Sequence, residues 1–182
     1  MDVRFFGPRQ MQQHDITEFA AGVIGGIVAT QVNDYVEKVF WQVTPEREKA
    51  REPEIEDDSS ADAAARMLLE MVEEKPAEAR RKVLKKLIHF GLGAGWGPLY
   101  CWLRRNAGMG PKTAGIASGL ALSLIVDEAL NPLLRITPPP HAYPASSHAR
   151  GLVTHVIWGL VCGAVAEPLR RELRSLDRSG ER

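Results

Sequence analysis

Apolar and charged residues alternate along this chain in long blocks. Four blocks contain no Asp, Glu, Lys or Arg, whereas most charged residues lie between Pro45 and Lys86 and in the tail; the uncharged blocks are 19–33, 87–103, 113–126 and 151–166. With a few charged residues admitted at their ends, the blocks reach the roughly 20 residues that a helix needs to cross a bilayer. We therefore predict four transmembrane helices, at 19–43, 84–105, 113–134 and 151–170.

Small residues recur at every fourth position within the blocks and give each predicted helix a narrow face without bulky side chains. The stretch HFGLGAGWGPLYCWLRR has four glycines within seven residues, and each would cost a helix in water roughly 1 kcal/mol relative to alanine. Helices in lipid associate through such residues because their backbones can then approach closely. The predicted packing faces are Gly22, Gly26, Gly93, Gly97, Gly115, Gly119, Gly159 and Gly163.

The blocks are also related in pairs, which indicates an internal repeat. AGVIGGIVATQVND, beginning at Ala21, aligns with AGIASGLALSLIVD, beginning at Ala114, and aligning His89 with His155 also superposes glycines of the second and fourth blocks. The predicted fold is an all-α integral membrane four-helix bundle. It consists of two duplicated helical hairpins in the same orientation, a parallel repeat about a pseudo-two-fold axis along the membrane normal.

The segments outside the helices have distinct compositions. We predict a polar N-terminal segment at 1–18 without a signal peptide, a charged loop at 44–83, a Pro-rich loop at 135–150 and a basic tail at 171–182. The charged loop contains a predicted amphipathic helix at about 60–75, with the apolar face Ala64, Met67, Leu68, Met71 and Val72. This helix is expected to lie on the bundle or at the lipid headgroups, with partner docking as the alternative.

Overall composition excludes several classes of function. The mean hydropathy is −0.18 and the net charge is +0, so composition alone would also fit a soluble protein, and nucleic-acid binding is unsupported. The sequence has no nucleophile elbow, phosphate loop or H-E-x-x-H motif, so no enzymatic activity is predicted. Cys101 and Cys162 lie in apolar blocks without metal-ligand spacing and are expected to be buried thiols.

The C-terminal third of the chain resembles a known family. RITPPPHAYPASSHARGLVTHVIWG, the following EPLRRELR and an earlier helix that opens at His89 resemble the YagU-like bacterial inner-membrane family. The clearest match covers roughly the last 50 residues. The resemblance implies a small multi-pass protein of the bacterial cytoplasmic membrane, in a family of undefined activity. Basic residues near the termini favour a cytoplasmic location for both of them, although the cluster from Arg80 to Lys86 argues for the opposite orientation.

Ionisable side chains within the predicted helices are the candidate functional residues, because such groups are costly at membrane depth. Asp34 and His89 lie on the first two helices at depths that differ by roughly 7 to 8 Å, and Asp127 and His155 repeat that relation, so all four side chains are predicted near one side of the bundle. Glu128 follows Asp127, which has Asn131 where Asp34 has Lys38, so Asp127 is the stronger candidate. An ion pair of Asp34 with Lys38, and histidines that merely tie helices together, are the structural alternatives. Glu167 is expected to pair with Arg170 or Arg171.

Three functions are compatible with this pattern. The first is proton or cation handling by the Asp and His residues. The expected partners are the lipid bilayer and either further copies of this chain or another membrane protein. The second is a membrane assembly scaffold that uses the glycine faces. The third is haem binding with His89 and His155 as axial ligands. No cofactor is required by the first two.

Overall fold

The computed structural model describes residues 13–49, 59–72, 75 and 77–180, and the regular elements in these ranges are all helical. The all-α prediction is therefore confirmed. The elements are α1 (Gln13–Val43), α2 (Ser60–Glu70), α3 (Glu78–Asn106), α4 (Pro111–Ala121), a π-helical segment (Leu122–Leu130), α5 (Asn131–Leu133), a 3-10 turn (Pro140–Ala142) and α6 (Ala145–Gly180).

The long helices pack side by side. α1 lies along both α3 and α6, α4 lies along α6, and α2 rests on α3. The interior combines small residues with a few large aromatic ones; its buried members include Ala29, Ala114, Ala166, Tyr100 and Trp158. The indole of Trp158 donates a hydrogen bond to the Thr30 hydroxyl at 3.1 Å, and that of Trp96 donates to the Ser118 carbonyl at 3.0 Å. Small residues therefore let the backbones approach, and the aromatic side chains join neighbouring helices.

α4 continues without a break into the π-helical segment, where the helix winds more widely. At its end the Asn131 backbone N–H bonds to the carbonyl of Val126, five residues back, instead of the usual four. π-Helical turns are uncommon and occur frequently at functional sites. Asp127 lies in this segment.

Several helix ends differ from the predicted ones. α6 begins at Ala145, within the predicted 135–150 loop, because Pro144 accepts the first helical bond from the Ser147 N–H at 3.0 Å. α6 also extends through the predicted basic tail to Gly180, and α1 begins at Gln13. α3 begins at Glu78, six residues before the predicted start at residue 84.

An ion pair and three alanines attach α2 to α3. Ala63, Ala64 and Ala65 are buried, whereas Met71 and Val72, part of the predicted apolar face, are exposed beyond the end of α2. The Asp62 carboxylate accepts two hydrogen bonds from Arg81, at 2.7 and 3.0 Å. This guanidinium lowers the pKa of Asp62 to about 2, so the carboxylate stays ionised, and the contact stays intact, well below neutral pH.

Two helical stretches are long and apolar enough to cross a membrane. They are Pro111–Leu133, with 23 residues and a mean hydropathy of 1.4, and Ala145–Leu173, with 29 residues and a mean hydropathy of 1.6. α1 and α3 carry more polar residues and do not reach this level over the part of the chain that the structure describes.

Candidate functional site

Glycines bring α1 and α3 into backbone contact. A Cβ atom on Gly26 would lie 2.0 Å from the carbonyl oxygen of Gly93, and one on Gly97 would lie 2.0 Å from that of Gly22. Such distances are far below any van der Waals contact, so only glycine permits this approach. The predicted packing faces of these two helices meet each other directly.

α4 and α6 meet in the same way, but their contact is displaced by one turn. Gly115 faces Gly159, and a Cβ on Gly119 would lie 2.1 Å from the carbonyl oxygen of His155. Gly163, which aligns with Gly97 in the predicted repeat, instead faces the ring of Tyr100 on α3. We call these two contacts the glycine seams. One seam joins the helix of Asp34 to the helix of His89, and the other joins the helix of His155 to α4, which continues into the segment that bears Asp127.

The structure brings the predicted aspartates and histidines together in two pairs. His89 Nε2 lies 2.7 Å from Asp34 Oδ1, and His155 Nε2 lies 3.4 Å from Asp127 Oδ2. Asp34 therefore pairs across helices, and the alternative partner Lys38 is exposed. The second pair is present although its glycine contact is displaced, and its Asp127 lies on the π-helical segment that follows α4.

The protonation of His155 is constrained by its other ring nitrogen. Nδ1 lies 2.8 Å from the Gly151 carbonyl oxygen, and a carbonyl only accepts hydrogen bonds, so Nδ1 carries a hydrogen. In a neutral ring Nε2 would then present a lone pair to Asp127. An additional proton between the ring and the carboxylate removes that conflict, so the pair is suited to hold one exchangeable proton.

Glu128 forms a third pair with His148, on the first turn of α6. Glu128 Oε1 lies 2.6 Å from His148 Nδ1, and His148 Nε2 lies 3.0 Å from the carbonyl oxygen of Pro140. The same reasoning applies, because the carbonyl fixes a hydrogen on Nε2 and leaves Nδ1 facing the carboxylate. Sequence reasoning missed His148 because it fell in the predicted loop.

Glu37 links the two Asp–His pairs. It interacts electrostatically with Asp34 and both imidazoles, and Asp127 in turn interacts with Glu37. Asn33 Nδ2 donates a hydrogen bond to Glu37 Oε1 at 2.8 Å. We define the Asp–His cluster as Asp34, Glu37, His89, Asp127 and His155. Asn33 and Glu37 are four residues apart, a spacing that places two side chains on the same face of a helix. This spacing was the sequence signal for their contact.

A second polar cluster holds the opposite ends of the helices together. The terminal cluster consists of Glu18, Tyr100, Arg104, Glu167 and Arg170. Arg170 bonds Glu18 at 2.5 and 3.1 Å and Glu167 at 2.8 Å, while Arg104 contacts both oxygens of Glu167 at 3.0 Å. Glu167 also contacts Arg171 at 3.3 Å. Both predicted partners of Glu167 are present, and the cluster ties α1, α3 and α6 together.

The geometry does not fit a haem bound between His89 and His155. The seam glycines that would have made room are covered by opposing backbone, and both ring nitrogens of His155 face protein groups. No group of three or more His, Cys, Asp or Glu side chains within the described ranges has metal-ligand geometry. Comparison with the models of protein families, with curated proteins and with solved structures finds no match to this chain.

Proposed function

We propose that this chain is a multi-pass membrane protein that moves protons or a small cation through the Asp–His cluster. The observation that carries the proposal is the convergence of two aspartates, two histidines and Glu37 from α1, α3, the π-helical segment and α6. Ionisable groups at membrane depth are costly to retain and are associated with ion and proton pathways.

The proposed architecture is a four-helix bundle of two duplicated hairpins, α1 with α3 and α4 with α6. Two spans of sufficient length and hydropathy support membrane insertion, and the backbone contacts at the glycine seams are of the kind that lipid-embedded helices use. The resemblance to the YagU-like family points to the bacterial cytoplasmic membrane. Four spans place both termini on one side, which we propose to be the cytoplasm.

In the proposed mechanism each Asp–His pair holds one proton between a carboxylate and an imidazole. Asp34 lies nine residues before the end of α1, or roughly 13 Å at 1.5 Å per residue, so the cluster is reached from the side that carries the 44–83 loop. We propose that Glu37 relays protons between the two pairs, since it lies close enough to both imidazoles to interact with them electrostatically. Transfer through Glu37 connects the two hairpins.

Asp127→Asn is expected to lower proton flux at least about tenfold, because the amide cannot accept the proton shared with His155. The measurement is dissipation of an imposed pH gradient in vesicles that contain the purified protein and a trapped pH dye. Asp62→Asn is the matched control, since it removes a carboxylate from the α2–α3 contact, outside the cluster, and should leave flux unchanged. Undiminished flux in correctly folded Asp127→Asn would contradict the proposal.

A membrane assembly scaffold is the second candidate, favoured by the outer face of α3. Gly91 and Gly95 are exposed, and a Cβ on either would meet nothing within 4 Å, so a helix of another copy or another membrane protein could approach there. Gly91→Leu with Gly95→Leu is expected to reduce the oligomer size in detergent, measured by light scattering on a sizing column. A wild-type chain that is already monomeric, or an oligomer that these changes leave intact, would contradict the scaffold.

A further inference from the structure

The Asp–His cluster contains more negative charge than its own histidines can neutralise. Asp34, Glu37 and Asp127 supply three carboxylates, and the two imidazoles supply at most two positive charges. The nearby basic groups do not restore the balance. Lys38 is exposed, and Lys85 contacts Asp62 at 3.4 Å, while Glu128 and His148 pair with each other. One negative charge is therefore left over when both cluster imidazoles are protonated, and either a proton on Glu37 or a bound cation can neutralise it.

A buried acceptor lies beside this excess charge. The Asn33 side chain is 4% exposed, and its Oδ1 atom has no hydrogen-bond partner. The orientation of the amide is fixed by the hydrogen bond that Nδ2 donates to Glu37. Rotating the amide group by half a turn would instead place Oδ1 against the Glu37 carboxylate. Buried polar atoms are almost always satisfied, so a buried acceptor without a partner beside a carboxylate is a candidate ligand for a cation.

This arrangement occurs in only one of the two hairpins. The alignment that pairs Asp34 with Asp127 places Val126 opposite Asn33 and Leu130 opposite Glu37. The second hairpin therefore keeps its Asp–His pair but lacks both the amide acceptor and the third carboxylate. The chain therefore contains one such site. Asn33→Val introduces the residue that the second hairpin already carries at the equivalent position.

We propose that Glu37 and the Asn33 amide oxygen bind one monovalent alkali cation in exchange for one proton; this rests on the proposed function. Carboxylate and amide oxygens are hard ligands that suit hard cations, and a single positive charge matches the single uncompensated negative one. When the cation binds, the Glu37 carboxyl loses its proton to water and its carboxylate binds the ion, so the charge of the cluster is unchanged. The Glu37 side chain is exposed, so an ion can reach the site from outside the bundle.

The test is sodium-linked proton release by the full chain in detergent. NaCl is titrated into weakly buffered protein against choline chloride at equal ionic strength, and released protons are counted with a pH indicator. About one proton per bound Na⁺ is expected. Asn33→Val should weaken Na⁺ binding about tenfold through loss of one ligand, Asn33→Asp should retain it, and Glu37→Gln should abolish the release. Asp62→Asn is the control and should behave as wild type.

The outcomes separate this inference from the proposed function. No proton release by the wild type, or equal Na⁺ binding by wild type and folded Asn33→Val, would overturn the cation site. Proton flux that depends on Asp127 without any effect of Na⁺ would support the proposed function while overturning this inference. Sodium-linked release by a chain that conducts no protons would support the cation site and contradict proton transport. Titration with LiCl and KCl ranks the ions.

Discussion

Gly97→Ala is expected to destabilise the folded chain by about 3 kcal/mol, the upper range for inserting a methyl group into a tightly packed interior. The new Cβ would lie 2.0 Å from the carbonyl oxygen of Gly22 and 2.8 Å from its carbonyl carbon. Both are backbone atoms that no side-chain rotation can move, so α1 and α3 must separate. That separation would also pull Asp34 away from His89.

The same substitution two residues earlier provides the control. A Cβ on Gly95 would meet nothing within 4 Å, so Gly95→Ala is expected to stabilise α3 by about 0.5–1 kcal/mol through lower backbone entropy in the unfolded chain. Thermal unfolding in one detergent, followed by circular dichroism, measures both variants. Shifts of the same sign and size would contradict the direct contact of the two helix backbones.

Arg170→Ala is expected to cost about 3–5 kcal/mol, because it removes the buried guanidinium that donates two hydrogen bonds to the buried Glu18 carboxylate. Arg170 is 5% exposed and Glu18 is 6% exposed, and the two side chains join residues that are 152 positions apart in the sequence. Glu167 keeps both contacts with Arg104. The loss therefore falls mainly on the attachment of α1 to α6, which the same unfolding measurement reports.

Two further variants separate buried charge from lost packing. The Arg171 side chain is 73% exposed and contacts Glu167 at 3.3 Å, so Arg171→Ala should cost less than about 1 kcal/mol. Combining Glu18→Gln with Arg170→Met should recover most of the stability that Arg170→Ala loses, since no uncompensated charge remains. Equal losses for Arg170→Ala and Arg171→Ala would contradict a buried role for the terminal cluster.

The parts of this structure that were predictable from sequence are those that depend on helical periodicity. The alternation of apolar and charged blocks predicted an all-helical chain, and small residues at every fourth position marked the faces that meet at Gly26 and Gly93. The spacing of the repeated residues placed Asp34, His89, Asp127 and His155 near one side of the bundle, and the structure brings them closer than the expected depth offset of roughly 7 to 8 Å, into two pairs. Both inferences use only the spacing of residues along a helix.

The remaining features depend on rotation, winding and chain ends, for which one sequence has no comparable signal. The π-helical winding around Asp127 and the position of Glu37 within electrostatic range of both His89 and His155 arise from packing. His148 lies in a Pro-rich stretch that was predicted to be a loop. In the structure Pro144 accepts the first hydrogen bond of α6, so His148 is helical. Glu18 meets Arg170 only because α1 and α6 pack together, so local patterns around either residue could not reveal the pair.

Proton transport by the unmodified chain can be measured across the bilayer of sealed vesicles. Vesicles containing the purified protein, and matched empty vesicles, are given the same pH gradient, with a potassium ionophore present to prevent charge build-up. The protein vesicles should lose the gradient several times faster, and Asp34→Asn combined with Asp127→Asn should return the rate to that of empty vesicles. Equal rates for wild-type and empty vesicles would contradict proton transport through the Asp–His cluster.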